Sequence, residues 1–242
     1  MPKFFVISDV HSFYTPMKEA LDTSGFNPDD ENHWLISCGD NFDRGNESVK
    51  VLRYLRQLQR KILIKGNHEL LLEECCFRGY PEPHDYHNGT VYTINQLGHG
   101  DRRGRRPEYA FLAERADYAW GRVRSLIKDM RFFYETQNYI FVHSWIPDGA
   151  EWRYASEEEW NRTMWLNPFE QARHDRDRNI GKTIVHGHWH ASAGWAAREG
   201  KPEFGEGACF DPFYGEGHIA IDACTAHTHK VNCLVLEDEW IV

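Results

Sequence analysis

Five short apolar runs in this chain, each typical of a buried strand, end directly at side chains that bind metal ions. In chain order, the segments at these ends are Ile-Ser-Asp9-Val-His11, Ser-Cys-Gly-Asp40-Asn-Phe-Asp43-Arg44-Gly45, Lys-Gly-Asn67-His68-Glu69, Phe-Val-His143-Ser-Trp and Val-His-Gly-His188-Trp-His190. Open α/β sheets form their sites outside the carboxyl ends of the strands, so we expect these side chains to converge. The pattern predicts an α/β protein with one site gathered from most of the chain.

The spacing of apolar residues predicts strands that alternate with helices, which indicates a largely parallel sheet. Strands are predicted at residues 3–8, 33–38, 61–65, 132–135, 139–143, 183–186, 218–222 and 230–237. Helices are predicted at residues 15–24, 47–60, 108–128 and 157–165, with a further helix that ends at residue 76. Residues 79–107 show little periodicity, residues 173–178 are predicted to form a charged loop, and residues 199–217 are predicted to be irregular. Residues 79–128 together are expected to form a cap inserted between core strands.

The wide separation of the site residues along the chain favours one domain over residues 1–242, because a single fold must gather them. Hydrophobic residues make up 41% of the chain and aromatic residues 14%, which is enough for a substantial core. The formal net charge of −9 argues against general nucleic-acid binding, since phosphates require a basic surface. An acidic net charge does not exclude a local site for phosphate groups, because bound metal ions supply positive charge locally.

The six cysteines match no zinc-ribbon spacing, and we expect them to be mostly free and buried in a reducing compartment. The N-terminal residues lack the apolar core and cleavage site of a signal peptide. No apolar run approaches the roughly 20 residues that a membrane span requires. We therefore expect a cytoplasmic protein without a membrane partner.

The motifs Asp-x-His, Gly-Asp-x-x-Asp-Arg-Gly and Gly-Asn-His-Glu, in this order, resemble those of the calcineurin-like metallophosphoesterase superfamily. The resemblance is closest to its branch of phosphoprotein phosphatases and diadenosine tetraphosphatase-like enzymes. It covers approximately residues 3–77, 138–147, 183–191 and 218–237. The resemblance implies a four-layer α/β/β/α sandwich, here with a helical cap insertion, and a site for two metal ions.

The resemblance also implies a role for each matching residue. Asp9 and His11 are expected to hold the first metal, Asp40 to bridge both, and Asn67, His143 and His188 to hold the second. Many superfamily members use the second histidine of Gly-His-x-His on the first metal, so His190 is added to that site. His186 precedes the glycine, where the family has no ligand, and is left out.

The chemistry of the donors agrees with this assignment. A set of oxygen and nitrogen ligands without cysteine suits Mn²⁺, Fe or Zn²⁺. We expect two divalent ions, with Mn²⁺ first and Fe, Zn²⁺ or Ni²⁺ as alternatives. A bridging carboxylate holds two ions about 3.5–4 Å apart, so that they share one hydroxide, which attacks phosphorus in line.

Three further residues are predicted to act on the substrate. His68 follows a ligand directly and is expected to protonate the leaving group. Asp43 is expected to accept a hydrogen bond from the other ring nitrogen of His68, which fixes its tautomer and favours its protonated form. Arg44 carries a planar guanidinium suited to phosphate oxygens, so it is predicted to bind substrate.

The chain departs from the phosphoprotein phosphatase pattern at a second phosphate-binding arginine. No arginine follows Trp165 at the usual place, and Arg162, Arg173, Arg176 and Arg178 all stay open as substitutes. The basic run Arg102-Arg103-Gly104-Arg105-Arg106 either contacts substrate phosphate or faces water. Asp222 is expected to have a structural role.

The leading functional prediction is phosphomonoester hydrolysis, with a phosphoserine or phosphothreonine protein, or a small phosphoester, as the substrate. The first alternative is hydrolysis of a dinucleoside polyphosphate or another nucleotide, in which basic residues 102–106 would hold the additional phosphates. The second alternative is a binding module that keeps the fold without catalysis. Such modules lose ligands or the general acid, whereas this chain keeps both.

Overall fold

The computed structural model of the chain describes residues 1–99, 113–176, 178 and 180–241. Within these residues the strands are β1 (Lys3–Ile7), β2 (His33–Ser37), β3 (Lys61–Leu63), β4 (Phe133–Glu135), β5 (Tyr139–Val142), β6 (Thr183–His186), β7 (Phe213–Tyr214), β8 (His218–Ala220) and β9 (Leu234–Glu237). The α-helices are α1 (Tyr14–Thr23), α2 (Ser48–Gln57), α3 (Asn67–Arg78), α4 (Pro83–Asn88), α5 (Thr90–His99), α6 (Ala113–Lys128), α7 (Glu157–Thr163), α8 (Pro168–His174), α9 (Ala191–Glu199) and α10 (Thr225–Thr228). A short 3₁₀-helix covers Trp152–Tyr154.

The strands form two sheets, each with a parallel centre. The first sheet has the order β3-β2-β1-β9, in which β9 runs antiparallel to β1. The second has the order β4-β5-β6-β8-β7, with antiparallel strands at both edges. The parallel strands β1, β2 and β3 of the first sheet, and β5 and β6 of the second, are those that precede the predicted ligand segments.

The two sheets pack face to face, and helices cover their outer faces. Side chains from both inner faces, such as Phe4 and Ile36 of the first sheet and Phe141 and Val185 of the second, form one buried cluster. Each such fully buried side chain contributes about 1.5–3 kcal/mol through the hydrophobic effect. Outer clusters join the first sheet to α1, α2, α3, α5 and α6, and the second sheet to α7 and α9. The predicted four-layer α/β/β/α sandwich is confirmed.

The sequence predicts a cap over residues 79–128 but assigns no individual elements to residues 79–107, and the structure describes helices in part of that stretch. Two helices, α4 and α5, occupy most of residues 83–99. Helix α4 begins with Pro83 in its first turn and ends at Gly89 in the left-handed conformation, which are ordinary helix start and stop signals. Short helices of this kind carry too few turns to show apolar periodicity.

Short elements without apolar periodicity were also missed by the sequence prediction in the second half of the chain. Helix α8 overlaps the predicted loop at 173–178, and helix α9 was not predicted. Strand β7 lies within the predicted irregular segment 199–217 and has only two residues. Asn167 caps α8 and Pro168 follows in its first turn, so local signals were present without periodicity.

The described helices of the predicted cap, α4, α5 and α6, lie beside α2 and α3 in the outer layer of the first sheet. Ile94, Leu97, Ala119 and Val123 belong to the same buried cluster as the outer face of that sheet. These three helices therefore belong to the helical layer, and the α4–α5 junction contacts the turn that carries Asp43 and Arg44. Residues 100–112, which include the basic run at 102–106, lie outside the described residues.

All six cysteines are free, with Cys38, Cys75 and Cys76 buried and the other three partly exposed. None of the helices described combines the length and the apolar character that crossing a bilayer requires.

Candidate active site

The loops that carry the predicted site residues have an unusual backbone. Across the described residues, nine non-glycine positions have a positive φ. Six of them are predicted site residues: Asp9, His11, Asp40, Asp43, Arg44 and His188. Aspartate and histidine tolerate this region better than most residues, but each position still costs on the order of 1–3 kcal/mol. Strain concentrated in this way is a property of functional sites, because the surrounding fold must hold it in place.

Two glycines allow the strand-end loops to close around buried carboxylates. A Cβ atom at Gly66 would overlap the Asp40 side chain, and one at Gly187 would overlap those of Ser8 and Asp9. Any larger residue would therefore push the loops apart. This explains the Gly-Asn67 and Gly-His188 pairs of the sequence in physical terms.

The first group of donor atoms comes from the ends of β1 and β2. His11 Nε2 lies 3.9 Å from Asp9 Oδ1 and 3.7 Å from Asp40 Oδ2. His11 Nδ1 donates a hydrogen bond to the Phe42 carbonyl at 3.0 Å, so the lone pair is on Nε2 and faces the carboxylates. Burial, followed by the positive charges of Arg44 and His68, lowers the pKa of His11 well below its usual value. His11 is therefore neutral, which is the form that binds metals.

The second group comes from the ends of β3, β5 and β6. His143 Nε2 lies 2.8 Å from Asn67 Oδ1, 3.1 Å from His188 Nδ1 and 3.5 Å from Asp40 Oδ1. His143 Nδ1 donates to the Cys38 carbonyl at 2.8 Å, so Nε2 is the ring nitrogen that faces Asn67 and Asp40. Burial, together with His143, lowers the pKa of His188 to about 3. The structure thus gathers imidazole nitrogens and amide and carboxylate oxygens at one point.

Asp40 belongs to both groups, since Oδ2 faces His11 and Oδ1 faces His143. Burial alone would raise its pKa, but the surrounding histidines, His143 first, outweigh burial and lower the pKa below its usual range. Asp9 behaves in the opposite way, because burial and the charges of Asp222 and Asp40 raise its pKa well above the usual value. Burial also raises the pKa of Asp222 to about 6.

This arrangement fits divalent cations. Three buried carboxylates, Asp9, Asp40 and Asp222, repel one another, and buried charges require opposite charge or a metal ion. The donor atoms of Asp40, His143 and His188 lie within 4.8 Å of one another, and so do those of His11, Asp40 and His68. The residues present can therefore hold cations on both sides of Asp40.

His68 lies beside the first group, at the start of α3. Its Nδ1 lies 2.8 Å from Asp43 Oδ2, and its Nε2 lies 3.8 Å from Asp40 Oδ2 and 3.3 Å from Arg44 Nη2. Burial alone would lower the pKa of His68, but the Asp40 charge and the Asp43 hydrogen bond outweigh it and raise the pKa. Asp43 itself is fixed by Thr90, whose hydroxyl donates to Asp43 Oδ2 at 2.7 Å.

His190 lies apart from both groups in this structure. Its Nε2 is 2.7 Å from Glu203 Oε1, and its ring packs against Phe204 at a centroid distance of 4.7 Å. Its proximity offsets part of the effect of burial, which raises the pKa of Asp222, so His190 lies near the acidic side of the site. Ligating histidines commonly bond a carboxylate through the nitrogen that does not face the metal.

Two residues that support the site were not assigned a role from the sequence. Glu69 is fully buried and accepts hydrogen bonds from the backbone N–H groups of Gly66 and Asp40 at 2.9 Å and of Asn41 at 2.8 Å. It therefore ties the loop after β3 to the loop after β2. The capping-box position of Glu69, three residues after Gly66, was the available signal. Thr90 gave no such signal, because only the tertiary fold brings it to Asp43.

The candidate second arginines are distributed away from Arg44. Arg173, Arg176 and Arg178 line a separate cavity between α8, α9 and β7, and Arg178 bonds Asp175 there. Arg162 is exposed on α7.

Replacing Glu69 by Gln should misplace Asp40, because an amide NH₂ would face backbone N–H groups that need an acceptor. We expect a loss of about 1–3 kcal/mol in the free energy of unfolding and weaker Mn²⁺ binding. Urea unfolding and calorimetric Mn²⁺ titration measure the two effects. Glu74→Gln, at an exposed position of the same helix, is the matched control and should change neither. Wild-type Mn²⁺ affinity in Glu69→Gln would contradict the positioning role.

Comparisons with known proteins agree with the geometry. The family model for calcineurin-like phosphoesterases matches residues 2–231. The symmetrical bis(5'-nucleosyl)-tetraphosphatase of Buchnera aphidicola subsp. Schizaphis graminum is 44% identical over 69 residues, which are 28% of this chain and 24% of that protein. The match thus spans about a quarter of the length of this curated relative.

Two solved structures share the fold. One, described as that of “a putative diadenosine tetraphosphatase”, is 14% identical, with a TM-score of 0.56 over 100% of this chain and 97% of that one. The other, a cold-active protein-tyrosine phosphatase of a psychrophilic Shewanella species, is 16% identical, with a TM-score of 0.54 over 98% and 76% of the chains. The resemblance predicted from the motifs is confirmed, and because the family model covers nearly all residues, the chain belongs to the calcineurin-like phosphoesterase family.

Proposed function

We propose that this chain is a metal-dependent phosphoesterase that hydrolyses dinucleoside polyphosphates such as diadenosine tetraphosphate. The observation that carries the proposal is the Asp43–His68 pair placed beside two donor groups that share Asp40. The curated relatives that match carry the name of symmetrical tetraphosphatases, which favours a nucleotide substrate. The leading sequence prediction, a serine/threonine-type protein phosphatase, has no comparable support among these relatives.

The donor groups assign the residues that would hold the ions. Asp9, His11 and Asp40 would hold one divalent ion, with His190 as a further predicted ligand through its Nδ1. Asp40, Asn67, His143 and His188 would hold the other. When bound, the ions supply Lewis-acid activation and positive charge for the phosphoryl oxygens. Mn²⁺ remains the predicted metal, because all the ligand atoms are oxygen or imidazole nitrogen.

Two side chains of this site would act on the substrate itself, and a third would position one of them. Arg44 is exposed beside His68 and would bind the phosphoryl oxygens with its guanidinium. His68 would donate a proton from Nε2 to the leaving oxygen while Asp43 holds its Nδ1. The raised pKa of His68 keeps a larger fraction protonated near neutral pH. Cations at Asp40 would oppose part of this shift, because they neutralise the charge that contributes to it.

The proposal predicts a clear substrate order for the Mn²⁺-loaded protein. We expect kcat/KM for diadenosine tetraphosphate to exceed that for a phosphoserine peptide by at least about tenfold, which corresponds to about 1.4 kcal/mol. Two molecules of ADP should form, as the word symmetrical in the relatives' name implies. Chromatography of the nucleotide products and release of phosphate from the peptide measure both reactions.

A preference for the phosphopeptide would reject the nucleotide assignment in favour of the protein phosphatase prediction. Background activity on both substrates and on 4-nitrophenyl phosphate, with Mn²⁺ bound, would favour the catalytically silent binding module instead.

His68→Asn should separate metal binding from proton donation. We expect normal Mn²⁺ content and a loss of about 10²–10⁴-fold in kcat on alkyl phosphates, whose leaving groups need a proton. The loss should be far smaller on aryl phosphates, which leave more easily. His174→Asn, at an exposed position, is the control and should behave as the wild type. Equal losses on alkyl and aryl phosphates would remove His68 from the role of acid.

A further inference from the structure

A cleft of about 510 Å³ opens directly beside Arg44, between the start of α1 and the α4–α5 pair. Its walls include the aromatic side chains of Phe13, Tyr86 and Tyr92 and the aliphatic side chain of Val91. This volume falls within the range of small-molecule sites, roughly 300–1,000 Å³. The cleft therefore has the size and composition of a binding site and shares one residue with the proposed phosphate site.

The lining of the cleft is nearly free of formal charge. Arg44 is the one permanently charged residue among those described along its walls. Asn46 and Asn88 add amide donors and acceptors at its rim. A flat uncharged ring with polar edges suits this lining, since aromatic walls stack on such a ring and amides bond its edges.

The α4–α5 wall of the cleft contacts the turn that carries Asp43 and Arg44. Thr90 donates to Asp43 Oδ2, and the Asp43 backbone N–H donates to Thr93 Oγ1 at 3.0 Å. An added Cβ at Gly89 would lie 2.6 Å from the Arg44 backbone nitrogen, so the α4–α5 junction touches the turn itself. A ring bound against Tyr86 would thus have a fixed position relative to Arg44.

The cleft lies on the side of the site where the leaving group is expected. His68, the proposed proton donor, lies 3.3 Å from Arg44, and Arg44 lines the cleft. The leaving group must lie on the side of the group that protonates it. A leaving nucleotide would therefore extend from His68 past Arg44 toward Tyr86.

We propose that this aromatic cleft binds the nucleobase of the leaving nucleotide, with Tyr86 as a stacking residue; the proposal rests on the function proposed above. Tyr86 is 47% exposed, so its ring offers a free face to a ligand. The ring of Phe13 makes an edge contact with the ring of His229, and the two centroids are 5.5 Å apart.

Tyr86→Ala should raise KM for diadenosine tetraphosphate about tenfold, because stacking on an aromatic side chain contributes about 1–3 kcal/mol per base. Its kcat/KM for an alkyl phosphate without a ring should be unchanged. Tyr86→Phe keeps the ring and should retain the wild-type KM. Tyr154→Ala removes a tyrosine that is 87% exposed on the 3₁₀-helix and serves as the matched control.

Adenosine carries no phosphate, so its binding tests base recognition in the cleft independently of hydrolysis. Calorimetric titration of the Mn²⁺-loaded protein should detect adenosine binding in the wild type and in Tyr86→Phe. In Tyr86→Ala the affinity for adenosine should fall by at least about fivefold.

If adenosine binds in this manner but diadenosine tetraphosphate is not hydrolysed, the proposed function fails and the cleft assignment stands. If the tetraphosphate is hydrolysed while Tyr86→Ala changes neither its KM nor adenosine affinity, the cleft assignment is overturned. Absence of adenosine binding to the wild type overturns it as well.

Discussion

One buried carboxylate, Asp40, organises the site, because its two oxygens face histidines that arrive from different sheets. His11 follows a strand of the first sheet, and His143 follows a strand of the second. Placing a charge there requires compensation, and the histidines around Asp40 lower its pKa accordingly. The loop that carries Asp40 has a left-handed residue and is fixed by the Glu69 carboxylate. The strain and burial at this point are offset by the packing of the two sheets.

Much of the site could be predicted from the sequence because strand ends in a parallel sheet converge. Asp9, His11, Asp40, Asn67, His143 and His188 each follow an apolar run, and the structure brings all six together. The sandwich was predictable for the same reason, through the family resemblance of these segments. His190 was placed by motif alone, and the structure sets it against Glu203 rather than among the other donors.

The features that escaped prediction depend on contacts distant in the sequence. Helices α4, α8 and α9 are too short for clear apolar periodicity, although α4 and α8 begin with a proline in the first turn and α4 and α9 end at a left-handed glycine. The contact of Thr90 with Asp43 joins residues 47 positions apart. It places the start of α5, in a segment expected to form a cap, against the turn that carries Asp43 and Arg44. The aromatic cleft beside Arg44 depends on this contact, so it could not be predicted before the fold was known.

The central claim is that Asp40 joins two metal sites, and the metal content of the purified protein tests it most directly. The account predicts two Mn²⁺ ions per chain after saturation and removal of free metal, measured by inductively coupled plasma mass spectrometry. Asp40→Asn should retain at most one ion, because one neutral amide oxygen replaces two charged donors, whereas the exposed control Asp29→Asn should retain two. One ion or none in the wild type, or two ions in Asp40→Asn, would contradict the account.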